Sequence, residues 1–222
     1  MDKNKQAIQY MKEKKYEEAA VLFNELIEEN PNDPIGFINF GNLLLHMNDH
    51  ERAERFFKRA LELDETTATA YYGLGNTYFE QGRYDQAQVQ FQQAIDHNLH
   101  EADVYYMLGY TFQKQEQDRL AIPFLLRATE LDPDNVEFLF QYGLSLAQSE
   151  LIDQAETVFQ EVLAIDTEHS DAYYNLGVVS LFNEQAEQAL EYFNKAVDIQ
   201  PDHFLAQNGK KQVEIALNDS NE

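Results

Sequence analysis

Alanines followed four residues later by a large apolar residue recur along the chain. They are Ala19–Phe23, Ala53–Phe57, Ala87–Phe91, Ala121–Leu125, Ala155–Phe159 and Ala189–Phe193, each alanine 34 residues after the last. A second series, Ala7, Gly41, Gly75, Gly109, Gly143 and Gly177, keeps the same step, as does a third, Leu26, Ala60, Ala94, Ala128, Val162 and Ala196. Three series in one register, with no insertion or deletion, define a repeat. Within residues 68–101, Tyr71, Leu74, Gly75 and Tyr78 fall at i, i+3, i+4 and i+7, which is one face of a helix. Ala87, Phe91 and Ala94 make the same kind of stripe on a second helix. Between them, residues 80–85 supply a turn at Gly82 and an acid, Asp85, placed to cap the second helix. The pattern therefore predicts one helical hairpin per repeat.

The small residues have a packing reason. The glycine of the first helix and the alanine of the second mark where the two helices approach closely, and a large side chain at Ala121 is expected to overpack that junction by about 1–3 kcal/mol. Pro31, Pro133 and Pro201 fall at the same place in three repeats, just past the second helix, where proline blocks its continuation.

At these residues the chain resembles the tetratricopeptide repeat family. The family pattern of an aromatic, then Leu-Gly, then an aromatic, then alanine and a large apolar residue is met by Tyr71, Leu74, Gly75, Tyr78, Ala87 and Phe91. It is met again by Tyr105, Leu108, Gly109, Phe112, Ala121, Leu125 and Pro133. The resemblance covers residues 3–217 and is read as six units, at 1–33, 34–67, 68–101, 102–135, 136–169 and 170–203. A capping helix is expected at 204–217 and a short disordered tail at 218–222, the whole forming a single solenoid over 1–222. The fold class implied is all-α, a right-handed α-solenoid of antiparallel hairpins with the first helix of each unit lining the concave side.

Several positions depart from the pattern. Lys3 and Gln6 stand where later units carry large apolar residues, so the first helix is expected to act as a cap or to fray. Glu65, Leu99 and Thr167 replace the terminal proline, and Ser180 replaces a large apolar residue. Pro123 lies inside the second helix of the fourth unit, near its first turn, and should remove at most one backbone hydrogen bond. Lys210 and Lys211 fall where other units have a large apolar residue and a glycine, as suits a helix end facing water.

Charge narrows the choice of partner. Sixteen bases against forty acids give a net −24, unevenly spread: residues 1–59 carry −2, residues 60–222 carry −22, and no Lys or Arg lies between Arg127 and Lys195. Such a surface repels phosphate backbones, so no nucleic-acid partner is expected, and it attracts basic ones. The basic stretches 12–15 and 52–59 are the only places where RNA contact could begin. No uncharged stretch, 138–149 among them, is long enough to span a bilayer, so no membrane partner is expected. No apolar run follows the N-terminal charges, and a cytoplasmic protein is the expectation.

Catalytic chemistry finds no foothold. There are no cysteines, hence no thiol nucleophile, disulfide or cysteine-bound zinc. His46 and His50 flank a turn, as do His97 and His100, and neither pair has a third ligand in sequence. No phosphate-binding glycine loop or nucleophile elbow is present. The chain is expected to be no enzyme, with no cofactor and no metal.

Under the family resemblance, the second, fifth, ninth and twelfth residues of each unit should face the concave groove. The candidate contact residues are Ile38, Asn42, Tyr72, Asn76, Phe79, Asp103, Tyr106, Tyr110, Glu137, Phe140, Asp171 and Tyr174. They combine aromatic and aliphatic anchors with carboxylates, and the expected occupant is a peptide or helical segment of a protein partner with apolar anchors and basic charge. Relatives that clamp acidic chaperone tails use Lys or Arg at these positions beside asparagine. Asn42 and Asn76 match the asparagines, but the fifth and ninth residues contain no cation, so that clamp is not expected. The alternative is a structural or self-associating assembly factor using its convex face or termini; a monomer is the favoured state.

Overall fold

Each stripe read from the sequence becomes a helix in the computed structural model, which describes residues 2–219. The chain divides into two compact units, Met1–Gln115 and Glu116–Glu222. The first contains α1 (Lys3–Lys12), α2 (Tyr16–Glu29), α3 (Pro34–His46), α4 (His50–Leu63), α5 (Ala68–Glu80), α6 (Tyr84–Asp96) and α7 (Ala102–Lys114). The second contains α8 (Asp118–Leu131), α9 (Val136–Gln148), α10 (Ile152–Ile165), α11 (Ser170–Phe182), α12 (Ala186–Ile199) and α13 (Phe204–Asp219). Among the described residues the fold is all-α and every element is helical, consecutive helices pairing as antiparallel hairpins. The boundary between the units falls in the turn of the 102–135 repeat.

The close approach inferred from the small residues is a ring packed on a glycine. A Cβ added at Gly41 would lie 2.8 Å from Phe57, and one at Gly75 would lie 2.6 Å from Phe91. Gly143 against Phe159 and Gly177 against Phe193 repeat the contact at 2.7 and 2.5 Å. These phenylalanines are buried, as are the alanines four residues before them. In the second unit Leu139, Leu146, Val158, Phe159, Val162 and Leu176 form one core. Ala189, Phe193 and Val213 form the next, against which α13 closes.

Five of the hairpin turns are Schellman motifs. The N–H groups of Lys15, Asp49, Arg83, Leu151 and Gln185 donate to the carbonyls of Tyr10, Leu44, Tyr78, Leu146 and Ser180, each five residues back. The motif needs a left-handed residue, and Lys14, Asn48, Gly82, Glu150 and Glu184 supply it, with φ between +57° and +71°; Glu116 has the same conformation at +59°. Glycine and asparagine fit that conformation; lysine and glutamate carry a steric cost. Asp85 does not cap α6. The capping position belongs to Arg83, without a side-chain bond, and Asp85 sits inside the first turn, where its charge favours the helix dipole.

First helices start at caps spaced by the repeat. Asp33 and Asn135 accept from the N–H groups of Ile35 and Phe138, and at the same place His169 and His203 accept through Nδ1 from Ala172 and Ala206, each at 3.2 Å. An imidazole that accepts at Nδ1 carries its proton on Nε2. The degenerate first helix is tied to α2, Lys3 reaching Glu25 and Glu29 at 2.7 and 2.6 Å. Ser180 is buried and donates to the Leu176 carbonyl. Pro123 lies within an unbroken α8 and deletes the one bond its N–H would have made. Asn218 and Asp219, assigned to a tail by sequence, continue α13; residues 220–222 lie outside the described residues.

A charge cluster joins the second and third repeats. Glu54 accepts from Lys58 at 2.6 Å, Arg83 at 2.8 Å and the Tyr78 hydroxyl at 3.2 Å, while the Arg83 guanidinium lies 4.2 Å above the Tyr78 ring. Burial alone would push the Glu54 carboxyl up, but the two cations together hold it below the usual carboxylate range.

Three outcomes follow for stability. Gly82→Ala adds a Cβ that meets nothing, so its expected cost of about 1 kcal/mol is pure backbone strain; Glu150→Gly, the reverse exchange, should raise the melting temperature by a few degrees. Gly177→Ala drives a Cβ into the Phe193 ring and should cost about 1–3 kcal/mol, read by thermal unfolding. Glu54→Gln should destabilise at neutral pH. Because the folded carboxyl is depressed, its contribution is present above the unfolded value and vanishes as pH falls through the folded one, so the variant and wild type should converge in acid.

Candidate functional site

Within each unit the first helices of neighbouring repeats lie side by side. In the first unit α3 touches α5 and α5 touches α7; in the second α11 touches α13. Residues opposite the packing stripe of these helices make up the face that sequence singled out.

The fifth residues of the repeats are partly structural. Tyr72 leans on the Phe91 ring at 5.8 Å, Phe140 on Phe159 at 5.8 Å and Tyr174 on Phe193 at 5.9 Å. The capping histidines press from the other side, His169 at 4.6 Å from Phe140 and His203 at 5.2 Å from Tyr174. Each ring is half-buried, one side held by core and cap. Burial pushes the Tyr72 phenol up, against a hydrogen bond with Asn76. Ile38, the second repeat's counterpart, departs from this: it is 5% exposed and belongs to the core, because an aliphatic side chain there packs fully inward. It offers no contact surface.

In repeat four, Leu125 stands where its neighbours have phenylalanine. Tyr106 stacks on Tyr110 of the same helix, 5.5 Å away and nearly parallel. Tyr110 in turn lies 5.4 Å from Phe79 of α5, which meets Tyr84 at 5.4 Å. Four half-buried rings, Phe79 on α5, Tyr84 at the start of α6 and Tyr106 and Tyr110 on α7, thus adjoin one another, with Lys114 Nζ 4.6 Å over Tyr110.

The predicted carboxylates Asp103, Glu137 and Asp171 are exposed, each in the first turn of its helix, where the dipole favours them. Asp171 Oδ1 lies 3.1 Å from Nε2 of the buried His203, close but out of line for a good hydrogen bond. Two other histidines serve aromatic packing: His97 stacks on Tyr71, and His100 stacks on Tyr105 with Nδ1 2.8 Å from its hydroxyl. Among the described residues no group of three or more His, Asp or Glu is placed to hold a metal.

Asn42 and Asn76 border a cavity of about 650 Å³ on the first unit, with Ile8, Met11 and Leu45 beneath them. Lys12 and Lys14 also line it. Sequence reasoning named the stretch 12–15 only as a possible start of RNA contact and not as part of the groove, because these lysines lie outside the groove positions, one ending α1 and the other in the turn. The near-neutral charge of residues 1–59 was the signal that pointed there.

With this geometry in place, comparisons with known proteins are direct. Family models described as tetratricopeptide repeat match residues 10–75, 44–109, 102–135, 136–165 and 170–203. No curated protein matches. Among solved structures, YrrB, described as a TPR protein with an unusual peptide-binding site, is 46% identical with a TM-score of 0.81, over 85% of this chain and 97% of its own. MamA is 23% identical at TM-score 0.69, over 72% of this chain and 94% of its own. Pseudomonas aeruginosa PilF shares the fold at TM-score 0.81 with 15% identity, over 95% of this chain and 96% of its own. The 34-residue step, the glycine–phenylalanine hairpins and these matches agree, and the chain belongs to the tetratricopeptide repeat family.

Proposed function

We propose that this protein is a non-catalytic scaffold that holds a peptide or helical segment of a protein partner on its first-helix face. The observation that carries this reading is the run of half-buried rings Tyr106, Tyr110 and Phe79 on adjacent first helices. Apolar anchors of the partner sit against these rings. Its basic side chains face the exposed acids, Asp103 in the first unit and Glu137 and Asp171 in the second, where Phe140 and Tyr174 offer the same pairing of ring and carboxylate. The net charge of −24 favours a basic partner, and the peptide-binding site ascribed to YrrB supports the class of ligand. Complementary charge speeds the encounter, and apolar anchors set the lifetime of the complex.

Affinity capture from native lysate with wild type and with a Tyr106→Ala/Tyr110→Ala variant of unchanged helicity tests the reading. Loss of the captured protein with the variant is expected, corresponding to about 2 kcal/mol or more of binding. Equal capture by both would move the contact to the second-helix face or the termini. With the partner in hand, added salt should lower the association rate more than it raises the dissociation rate. An association rate indifferent to salt would remove the basic partner from the account.

A further inference from the structure

Two cavities are lined by equivalent hairpin-turn residues one repeat apart, each wholly within one unit. Gly82, Arg83, Asp85, Lys114 and Gln115 line the first, of about 310 Å³. Glu116, Gln117, Arg119, Gln148 and Ser149, each 34 residues later, line the second, of about 410 Å³. In the first, Gln115 reaches across: its Nε2 donates to Asp85 at 2.7 Å, although its Oε1 stays unpartnered, and Arg83 and Lys114 put cations in the wall. In the second, Gln115 is replaced by Ser149, whose side chain is too short to cross. Ser149 is 6% exposed and its hydroxyl has no hydrogen-bond partner; only its N–H is used, at the end of α9. A buried hydroxyl left unpaired is costly, and a donor entering the cavity relieves that cost. The wall changes sign as well. Gln117 and Gln148 replace the two cations and Glu116 replaces the glycine, so that Glu116, Asp118 and Glu150 oppose the single cation Arg119. Leu120, 53% exposed, adds an apolar strip.

We propose that the second cavity binds a methylene chain carrying separated ammonium groups, whether a free polyamine or the lysine side chains of a basic segment. One ammonium donates to the Ser149 hydroxyl beside Glu150, a second lies by Glu116 and Asp118, and the methylenes between them cover Leu120. Asp118 is held in place by the Ser145 hydroxyl, which donates to it at 3.3 Å. Among the described residues no three carboxylates or histidines are placed to hold one metal ion together, so the three acids suit charges spread along a ligand better than a single compact ion. A volume of about 410 Å³ lies within the range of formed ligand sites and admits a short linear chain. The equivalent cavity of the first unit rejects the same ligand, since Arg83 and Lys114 stand in its wall and Gln115 crosses it. The site uses no residue of the Tyr106, Tyr110 and Phe79 surface and does not depend on the function proposed for that surface.

The test is calorimetric titration of the full chain with spermidine and, separately, with the capped peptide acetyl-Lys-Gly-Lys-amide. Ser149→Ala should weaken binding about tenfold, because it removes the acceptor without altering charge. Its melting temperature should be unchanged or higher, since the lost hydroxyl had no partner. Ser149→Gln should weaken binding as much, by closing the cavity as Gln115 closes its own. Glu150→Gln should also cost about tenfold, whereas Glu184→Gln, the same turn position one repeat later and the same change in net charge, should cost less than about twofold. Binding of spermidine with this pattern assigns the site to a free polyamine; binding of the peptide alone with this pattern assigns it to lysines of a partner. Binding of neither overturns the proposal. Equal weakening by Glu150→Gln and Glu184→Gln overturns it as well, because affinity would then follow net charge and not this cavity, and so does a Ser149→Ala variant that binds as wild type does.

Discussion

The ring of a second-helix phenylalanine packed on the glycine of the first helix is the contact from which the rest of the structure follows. It sets how closely the two helices of a hairpin approach, and it tolerates no Cβ at Gly41, Gly75, Gly143 or Gly177 without displacement of the ring. The same rings support the outer face. Tyr72, Phe140 and Tyr174 each rest on the phenylalanine of their own repeat. Core packing and candidate contact surface are therefore two sides of one layer. On α7 the aromatics Tyr106 and Tyr110 stack along the helix.

Much of the fold was legible because the repeat's constraints fall on residue types that cannot be exchanged freely. Glycine and alanine at a closed helix contact, and large apolar residues beside them, leave a 34-residue signature that survives variation elsewhere. Other features were hidden for physical reasons. The left-handed turn residue is glycine at Gly82 and asparagine at Asn48; at Lys14, Glu150 and Glu184 the Schellman bonds impose the conformation on lysine and glutamate, so no sequence cue marks it there. Nothing in the sequence marks His169 and His203 as caps, since only the structure shows an imidazole doing the capping work of Asp33 and Asn135. Asp85 has the right chemistry for a cap and stands inside the helix instead.

The site was legible at the level of register and less so at the level of side chains. Counting from the repeat start identified a stripe, but an aliphatic residue in that stripe turns inward, as Ile38 does, while tyrosine keeps its polar edge toward water. Lys12 and Lys14 were not assigned to the groove because they border the stripe from a helix end and a turn. That no carboxylate lines the cavity beside them is visible only once the acids have been placed in space.

Site-directed photocrosslinking tests the central claim most directly. A photoreactive phenylalanine analogue is placed at Tyr110, and in a second protein at Val89, which is 54% exposed on the second helix α6. After irradiation in native extract, the first-helix position should yield a discrete covalent adduct with a partner protein and the second-helix position should not. Adducts formed from Val89 and absent from Tyr110 would contradict an interaction scaffold that works through its first-helix face.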